Sequence, residues 1–257
     1  MLLVLPTYAI LRPRNAALAL KVWIIAMIGP SQVPLHIAID GPVASGKSTV
    51  GKAVADRLGI LYVDTGITYR AVALVVLERG CDPTDGAACG QIAETLDLHI
   101  DSATLADGRQ NTVWLRERDI TWAIRAPEVN RVVPVVSRHE RVRHALHIQQ
   151  RQLAAGRSVV MVGRDITSIV LPTAKVKIWL DASLDERVRR RAAEMHARAP
   201  QSVIALDVLR QSIIDRDRQD AHNMTLTPDT RIINTDGKRI EDVVASILEV
   251  VDEQHQP

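Results

Sequence analysis

The segment Gly41-Pro42-Val43-Ala44-Ser45-Gly46-Lys47-Ser48-Thr49 constrains this chain more than any other. Its spacing, G-x-x-x-x-G-K-[ST], describes a loop whose glycines let the backbone turn sharply and aim several N–H groups at one point. An apolar run at 35–40 leads in, and an amphipathic stretch at 48–58 leads out and stops at Gly59. Strand, glycine loop and helix in that order make an anion site. The helix start adds partial positive charge, and Lys47 adds a compact full one. Residues 41–49 are therefore read as a cradle for the polyphosphate of ATP, with Lys47 on the β- and γ-phosphates and the Ser48 hydroxyl as a Mg²⁺ ligand.

The rest of the 257 residues supports an enclosing α/β fold. Short apolar runs at 60–64, 158–162, 175–180 and 231–234 read as buried parallel strands, and helical periodicity marks 69–77, 85–97, 128–155, 184–196, 204–220 and 240–251. Pro134 is expected to kink or break the 128–155 stretch. Runs at 98–101 and 112–115 read as strands of a less regular insert over about residues 97–130. Alternating strands and helices predict a P-loop NTPase-type parallel sheet flanked by helices over residues 35–254. Residues 1–34 are read as an extension outside that fold. Its best uncharged run, 22–39, contains Pro30, Pro34 and His36 and makes a poor membrane span. No membrane association is expected.

Composition narrows the function classes. A net charge of +2, from 32 basic and 30 acidic residues, argues against a polybasic nucleic-acid binder. Only six of those basic residues are lysine, a bias that favours planar, bidentate contacts to phosphate or carboxylate. Phe is absent, so aliphatic side chains must fill the core. Cys81 and Cys89 have neither zinc-site nor disulfide-framework spacing, which suits a reduced, cytoplasmic protein. His36, His139 and His144 follow no ligand spacing and are read as structural, and Trp114 and Trp122 as core or interface.

Four further segments choose among the proteins that use such a loop. These are Ile39-Asp40-Gly41-Pro42, Asp64-Thr65-Gly66-Ile67-Thr68-Tyr69-Arg70, Gly163-Arg164-Asp165 and Arg216-Asp217-Arg218-Gln219-Asp220. Together they resemble bacterial cytidylate (CMP/dCMP) kinases, and residues 113–129, with Asp119, Ile124 and Arg125, look like that family's insert. The resemblance implies transfer of the ATP γ-phosphate to CMP or dCMP by a cytoplasmic enzyme; a self-contained domain of this kind is expected to be a monomer. It implies that Arg70 and Arg164 grip the acceptor phosphate and that Thr65 and Tyr69 line the acceptor pocket. Arg143 and Asp165 would read the cytosine edge, because a carboxylate facing the exocyclic amine favours cytosine over uracil. Asp220, supported by Arg216, would take the ribose hydroxyls. Arg187, Arg190 and Arg191 fall in a lid over about residues 187–223, with Arg190 among the catalytic residues. A lone arginine on a helix face is, however, ordinarily solvated or paired at the surface.

The chain also departs from the family pattern. Pro134 stands where a small hydroxyl residue that reads the base is expected, and Ile166-Thr167-Ser168 replaces a continuation through Gly-Thr. The pattern Arg-Asp-x-x-Asp-x-x-Arg ends in Asn223, which removes a cation from the transferring phosphoryl region. Arg218 or His222 are the candidates to compensate. Two other readings stand beside the cytidylate kinase: a P-loop kinase of a different small acceptor, and a degenerate module that binds nucleotide without turnover.

Overall fold

The computed structural model describes residues 33–198, 201 and 205–254. The expectation for residues 1–34 therefore lies, apart from residues 33 and 34, outside the described residues.

Strand β1 (His36–Asp40) shows why the core forms where it does. Successive side chains on a strand face opposite ways, so Ile37 and Ile39 point to one side of the sheet and Ala38 to the other. All three are fully buried, which only a sheet covered on both faces allows. Around β1 stand β2 (Leu61–Asp64), β6 (Val159–Val162), β7 (Val176–Asp181) and β8 (Arg231–Asn234), in the order β2-β6-β1-β7-β8. Every pair is parallel, and Ile37 lies opposite both Val160 and Val176.

One face carries Ala38, Val63 and Met161 against α2 (Gly66–Glu78), α3 (Gly86–Glu94) and α5 (Glu140–Ala154). The other carries Ile37, Ile39, Val160 and Ile178 against Val50 and Val54 of α1 (Lys47–Leu58) and Val244 and Ile247 of α8 (Ile240–Glu253). Aliphatic residues supply nearly all of this core, as the absence of Phe requires.

The 128–155 stretch is two helices, α4 (Pro127–Val136) and α5. The break does not fall at Pro134, which sits in the third turn of α4; the chain leaves the helix after Val136 and restarts beyond His139. The ring nitrogen Nε2 of His139 lies 2.8 Å from the carbonyl of Pro83, and that of His36 3.1 Å from the carbonyl of Ala154. Both are structural, as expected.

The insert is a three-stranded antiparallel sheet, β3 (Leu98–Ser102), β4 (Asn111–Leu115) and β5 (Arg118–Asp119). The two-residue β5 is too short to leave a sequence period. The amide of Asn111 ties this sheet to the main one by donating to the Tyr62 carbonyl at 2.6 Å. Buried Arg109 bridges Asp107 and Asp119, both at 2.7 Å. Of the two readings for Trp122, core or interface, the structure excludes the core. It is half exposed, donates to Asp107 at 2.9 Å and lies under the Arg125 guanidinium.

Helices α6 (Leu184–Arg198) and α7 (Leu206–Asp220) share a small apolar cluster of Val188, Leu209 and Ile213.

Candidate active site

Ligands of open α/β sheets bind beyond the carboxyl ends of the strands. Here Asp40, Asp64 and Val162 end three adjacent strands, and a cavity of about 1170 Å³ opens above them. Pockets for a single small ligand typically enclose roughly 300–1,000 Å³, so this space is at or above the upper end for one ligand.

The loop 41–48, the expected donor side, lines one part of the cavity. Gly41 has φ +150°, Ala44 +59° and Gly46 +98°, so the backbone turns back on itself before α1 begins at Lys47. A Cβ on Gly41 would lie 2.2 Å from the Leu180 carbonyl oxygen, a backbone atom with nowhere to go. Gly41→Ala is therefore expected to cost about 3 kcal/mol or more, visible as a lower denaturation midpoint in urea together with weakened ATP binding. Lys47 is buried and donates to the carbonyls of Gly41 at 2.7 Å and Pro42 at 2.6 Å, and to Ser45 Oγ at 3.4 Å. Burial, aided by Arg164, pushes its pKa well below the ordinary lysine value, while Asp64, Asp40 and Asp220 pull it back.

The Ser48 hydroxyl donates to Asp64 Oδ2 at 3.1 Å. This hydroxyl and carboxylate form an all-oxygen donor pair beside the loop. Mg²⁺ takes one or two protein oxygens and fills its other positions with water and substrate phosphate. The residues present fit that ion. Among the described residues no cluster of three His, Cys, Asp or Glu forms a dedicated metal cage. Asp64 was not singled out in the sequence; its signal was an acid at the carboxyl end of the strand after the loop.

The expected acceptor side gathers residues from five elements. Thr65 follows β2 and its hydroxyl donates to the Val162 carbonyl at 3.0 Å. Arg70, on α2, donates to the Ile124 carbonyl at 3.3 Å and to Asn130 Oδ1. The Arg143 guanidinium from α5 stands 5.9 Å from the ring centre of Tyr69 and donates to Asp165 Oδ2. Burial raises the Tyr69 phenol, against the pull of Arg143, so it stays neutral. Arg164 Nε donates to Asp220 Oδ2 at 2.9 Å, and Arg216 Nε to the same oxygen at 3.1 Å. All eight expected acceptor residues line the one cavity.

Asp40 joins the two sides. It is fully buried and accepts from the main-chain N–H of Ile166 at 2.9 Å and Thr167 at 2.8 Å, and from the Thr167 hydroxyl at 2.7 Å. Desolvation raises its pKa above 3.8, and the three donors oppose that rise. The departure at Thr167 thus has a physical role, as a third donor to Asp40.

The lid arginines divide. Arg190 reaches the donor loop, donating to the Ser45 carbonyl at 3.2 Å and to the Thr235 hydroxyl at 2.9 Å and carbonyl at 2.6 Å. Arg191 also lines the cavity. Arg187 does not: it is buried, pairs with Asp217 at 2.6 Å, tying α6 to α7, and donates to the Val43 carbonyl of the loop at 3.4 Å. Of the two candidates to replace the cation missing at Asn223, Arg218 is corrected. Its side chain is exposed at 74%, faces Asp215 at 3.4 Å and is not among the residues lining the cavity. His222 and Asn223 do line it, with their side-chain nitrogens 2.9 Å apart. Ser137, one turn beyond Pro134, also lines the cavity and brings a hydroxyl to that wall.

Comparison with known proteins shows the family of this sequence. The family model described as cytidylate kinase matches residues 37–253. A cytidylate kinase of Herpetosiphon aurantiacus is 46% identical over 218 residues, covering 85% of this chain and 94% of that protein. One of Chloroflexus aggregans is 45% identical over 217 residues, covering 84% and 94%. Another, of Symbiobacterium thermophilum, is 44% identical over 218 residues, covering 83% and 94%. The match runs from the strand that feeds the phosphate loop to the closing helix, across every element that carries a cavity residue, and on this extent and identity the chain belongs to the cytidylate kinase family.

Proposed function

We propose that the cavity holds ATP over residues 41–49 and CMP or dCMP against Arg70, Arg143, Arg164 and Asp165, and that the γ-phosphoryl group passes between them. The chain is a phosphotransferase, and its family supports CMP and dCMP as acceptors. The observation that carries the site reading is the convergence of Lys47, Arg70, Arg143, Arg164 and Arg190 on one cavity beside a glycine-rich anion cradle.

The acceptor phosphate is already ionised near neutral pH and needs little general-base help. The protein's work is to hold two polyanions in line and offset charge as the phosphoryl group moves. Lys47 and the loop N–H groups hold the donor phosphates, with Arg190 above them. Arg70 and Arg164 hold the acceptor phosphate, and Asp220 with Arg216 holds the ribose. Thr65 and Tyr69 line the acceptor pocket. Ser48 and Asp64 would hold Mg²⁺, which when bound neutralises charge on the β- and γ-phosphates. Helices α6 and α7, with an apolar cluster of their own, act as a lid that excludes water and so limits wasteful hydrolysis. No helix among the described residues is long and apolar enough to cross a membrane. A cytoplasmic monomer is part of the same proposal.

A coupled assay over CMP, dCMP, UMP and AMP, on wild type and Asn223→Arg together, tests this. CMP and dCMP are expected to turn over far faster than UMP and AMP. The arginine variant should gain roughly 10- to 100-fold in kcat, since a charged hydrogen bond contributes about 1.5–3 kcal/mol. Equal, trace rates on all four acceptors would overturn the cytosine assignment. An unchanged kcat would show that position 223 does not limit catalysis, the result expected if His222 already compensates.

A further inference from the structure

The proposed reading puts Asp165 at the cytosine edge, and the structure places a residue behind it that the reading does not use. His147 lies on α5 one turn after Arg143, and its Nε2 is 3.0 Å from Asp165 Oδ2. Its side chain is 12% exposed, against 16% for Arg143 and 7% for Asp165. A second turn along the same helix, Arg151 donates to the carbonyls of Ile169 at 2.7 Å and Val170 at 3.2 Å. Arg143, His147 and Arg151 therefore form a ladder at i, i+4 and i+8 that clamps the single π-type turn Ile166–Val170 and the aspartate before it. From the sheet side, Asp40 holds the same turn at Ile166 and Thr167.

We infer that His147 is the positioning residue for Asp165, fixing its carboxylate so that Oδ1 faces the base of the acceptor. Arg143 and His147 both take Oδ2, and neither takes Oδ1. The two are not equivalent. Arg143 lines the cavity, so a bound base competes for its guanidinium; His147 does not line it, so no ligand draws it away. When CMP engages Arg143, the imidazole N–H is what still holds the carboxylate in place. An aspartate that swings freely presents either oxygen at many angles, and loses the geometry that separates an amine donor from a carbonyl at the same position of the ring. His147 thus acts on acceptor selectivity without touching the acceptor.

This inference rests on the assignment of Asp165, so steady-state kinetics on CMP and UMP should include Asp165→Asn beside His147→Leu, His147→Gln and His147→Asn. The leucine variant is expected to raise KM for CMP about tenfold and to lower the CMP-over-UMP ratio of kcat/KM by a similar factor. KM for ATP should stay within twofold of wild type. Glutamine, whose amide reaches where Nε2 stands, should restore most of the selectivity, whereas asparagine is too short to reach Oδ2 and should not. A folded leucine variant with unchanged KM for CMP and unchanged selectivity overturns the inference, and so does equal loss in the glutamine and asparagine variants. If leucine prevents folding, the contrast between glutamine and asparagine decides alone. Should Asp165→Asn leave KM for CMP and the CMP-over-UMP ratio unaltered, the assignment of Asp165 itself fails. An effect there without one at His147 rejects only the positioning role.

Discussion

Lys47→Met is expected to lower kcat/KM for ATP by roughly 10²- to 10³-fold, the loss usual when one preorganised donor to a developing anion is removed. KM for CMP should hardly move, because the acceptor side is built from other elements. The same variant should be no less stable to heat than wild type. Lys47 Nζ has neutral oxygens for hydrogen-bond partners, two carbonyls and a hydroxyl, so its charge is buried at a cost that methionine of similar length does not incur. The sign with pH follows. A lysine whose folded pKa lies below the ordinary 10.5 binds its proton more readily in the unfolded chain. Its contribution to stability therefore rises with pH through the window from the lowered value up to 10.5. Thermal unfolding at about pH 7 and about pH 9 should show that slope in wild type and a flatter one in the variant. A variant that melts lower at both pH values would contradict the account of Lys47 as a strained, function-bearing charge.

Asp40→Ala should be the most damaging change that contacts neither nucleotide. It leaves three buried donors without an acceptor: the N–H of Ile166, the N–H of Thr167 and the Thr167 hydroxyl. Breaking one side of such a buried charged network costs about 3–5 kcal/mol, equivalent to roughly 6–20 °C in melting temperature for a chain of this size. Scanning calorimetry measures the first effect. Titration calorimetry should record the second, a parallel weakening of ATP and CMP binding, because the residue after Asp40 begins the donor loop and its hydrogen bonds hold the acceptor turn. Asp40 also carries a pH signature. Its folded pKa lies above the unfolded value of 3.8, so its protonated form is favoured by folding. That contribution is complete below the unfolded pKa and is lost as pH rises through the folded one. Wild type should show this dependence on the acid side and the alanine variant should not. Selective loss of only one substrate would refute the idea that Asp40 serves both.

The parallel sheet and the phosphate loop were legible because their physics is local. A doubly covered strand reads as a continuous apolar run, and the loop needs its glycines at fixed offsets. Five strand positions and the helix α1 followed from those two facts. Strand order was not legible, since the insertion of β6 between β1 and β2 is a pairing across more than ninety residues. Pro134 misled for a related reason. Proline inside a helix removes one hydrogen bond, and the packing of Val129 and Val136 keeps the helix going past it. At the cavity, Lys47, Arg164 and Asp165 were legible as candidates because they sit on a loop motif or a strand end. His147 left no such mark. One turn of helix separates it from Arg143, but only the fold brings Asp165 to meet both. Arg187 and Arg218 are the converse case. The resemblance put Arg187 in the lid and made Arg218 a candidate for the missing cation, whereas in the fold one pairs with Asp217 and the other lies exposed beside Asp215.

The coupling through Asp40 sets a rule for redesign. A turn grafted from a relative with another acceptor would arrive without the carboxylate that seats it, since residue 40 lies on a different strand while residue 167, inside the turn, supplies two of the three donors to it. Transplants limited to the segment after β6 should give misregistered pockets. Those that carry positions 40 and 167 along as a matched pair should keep the geometry on which any new specificity has to be built.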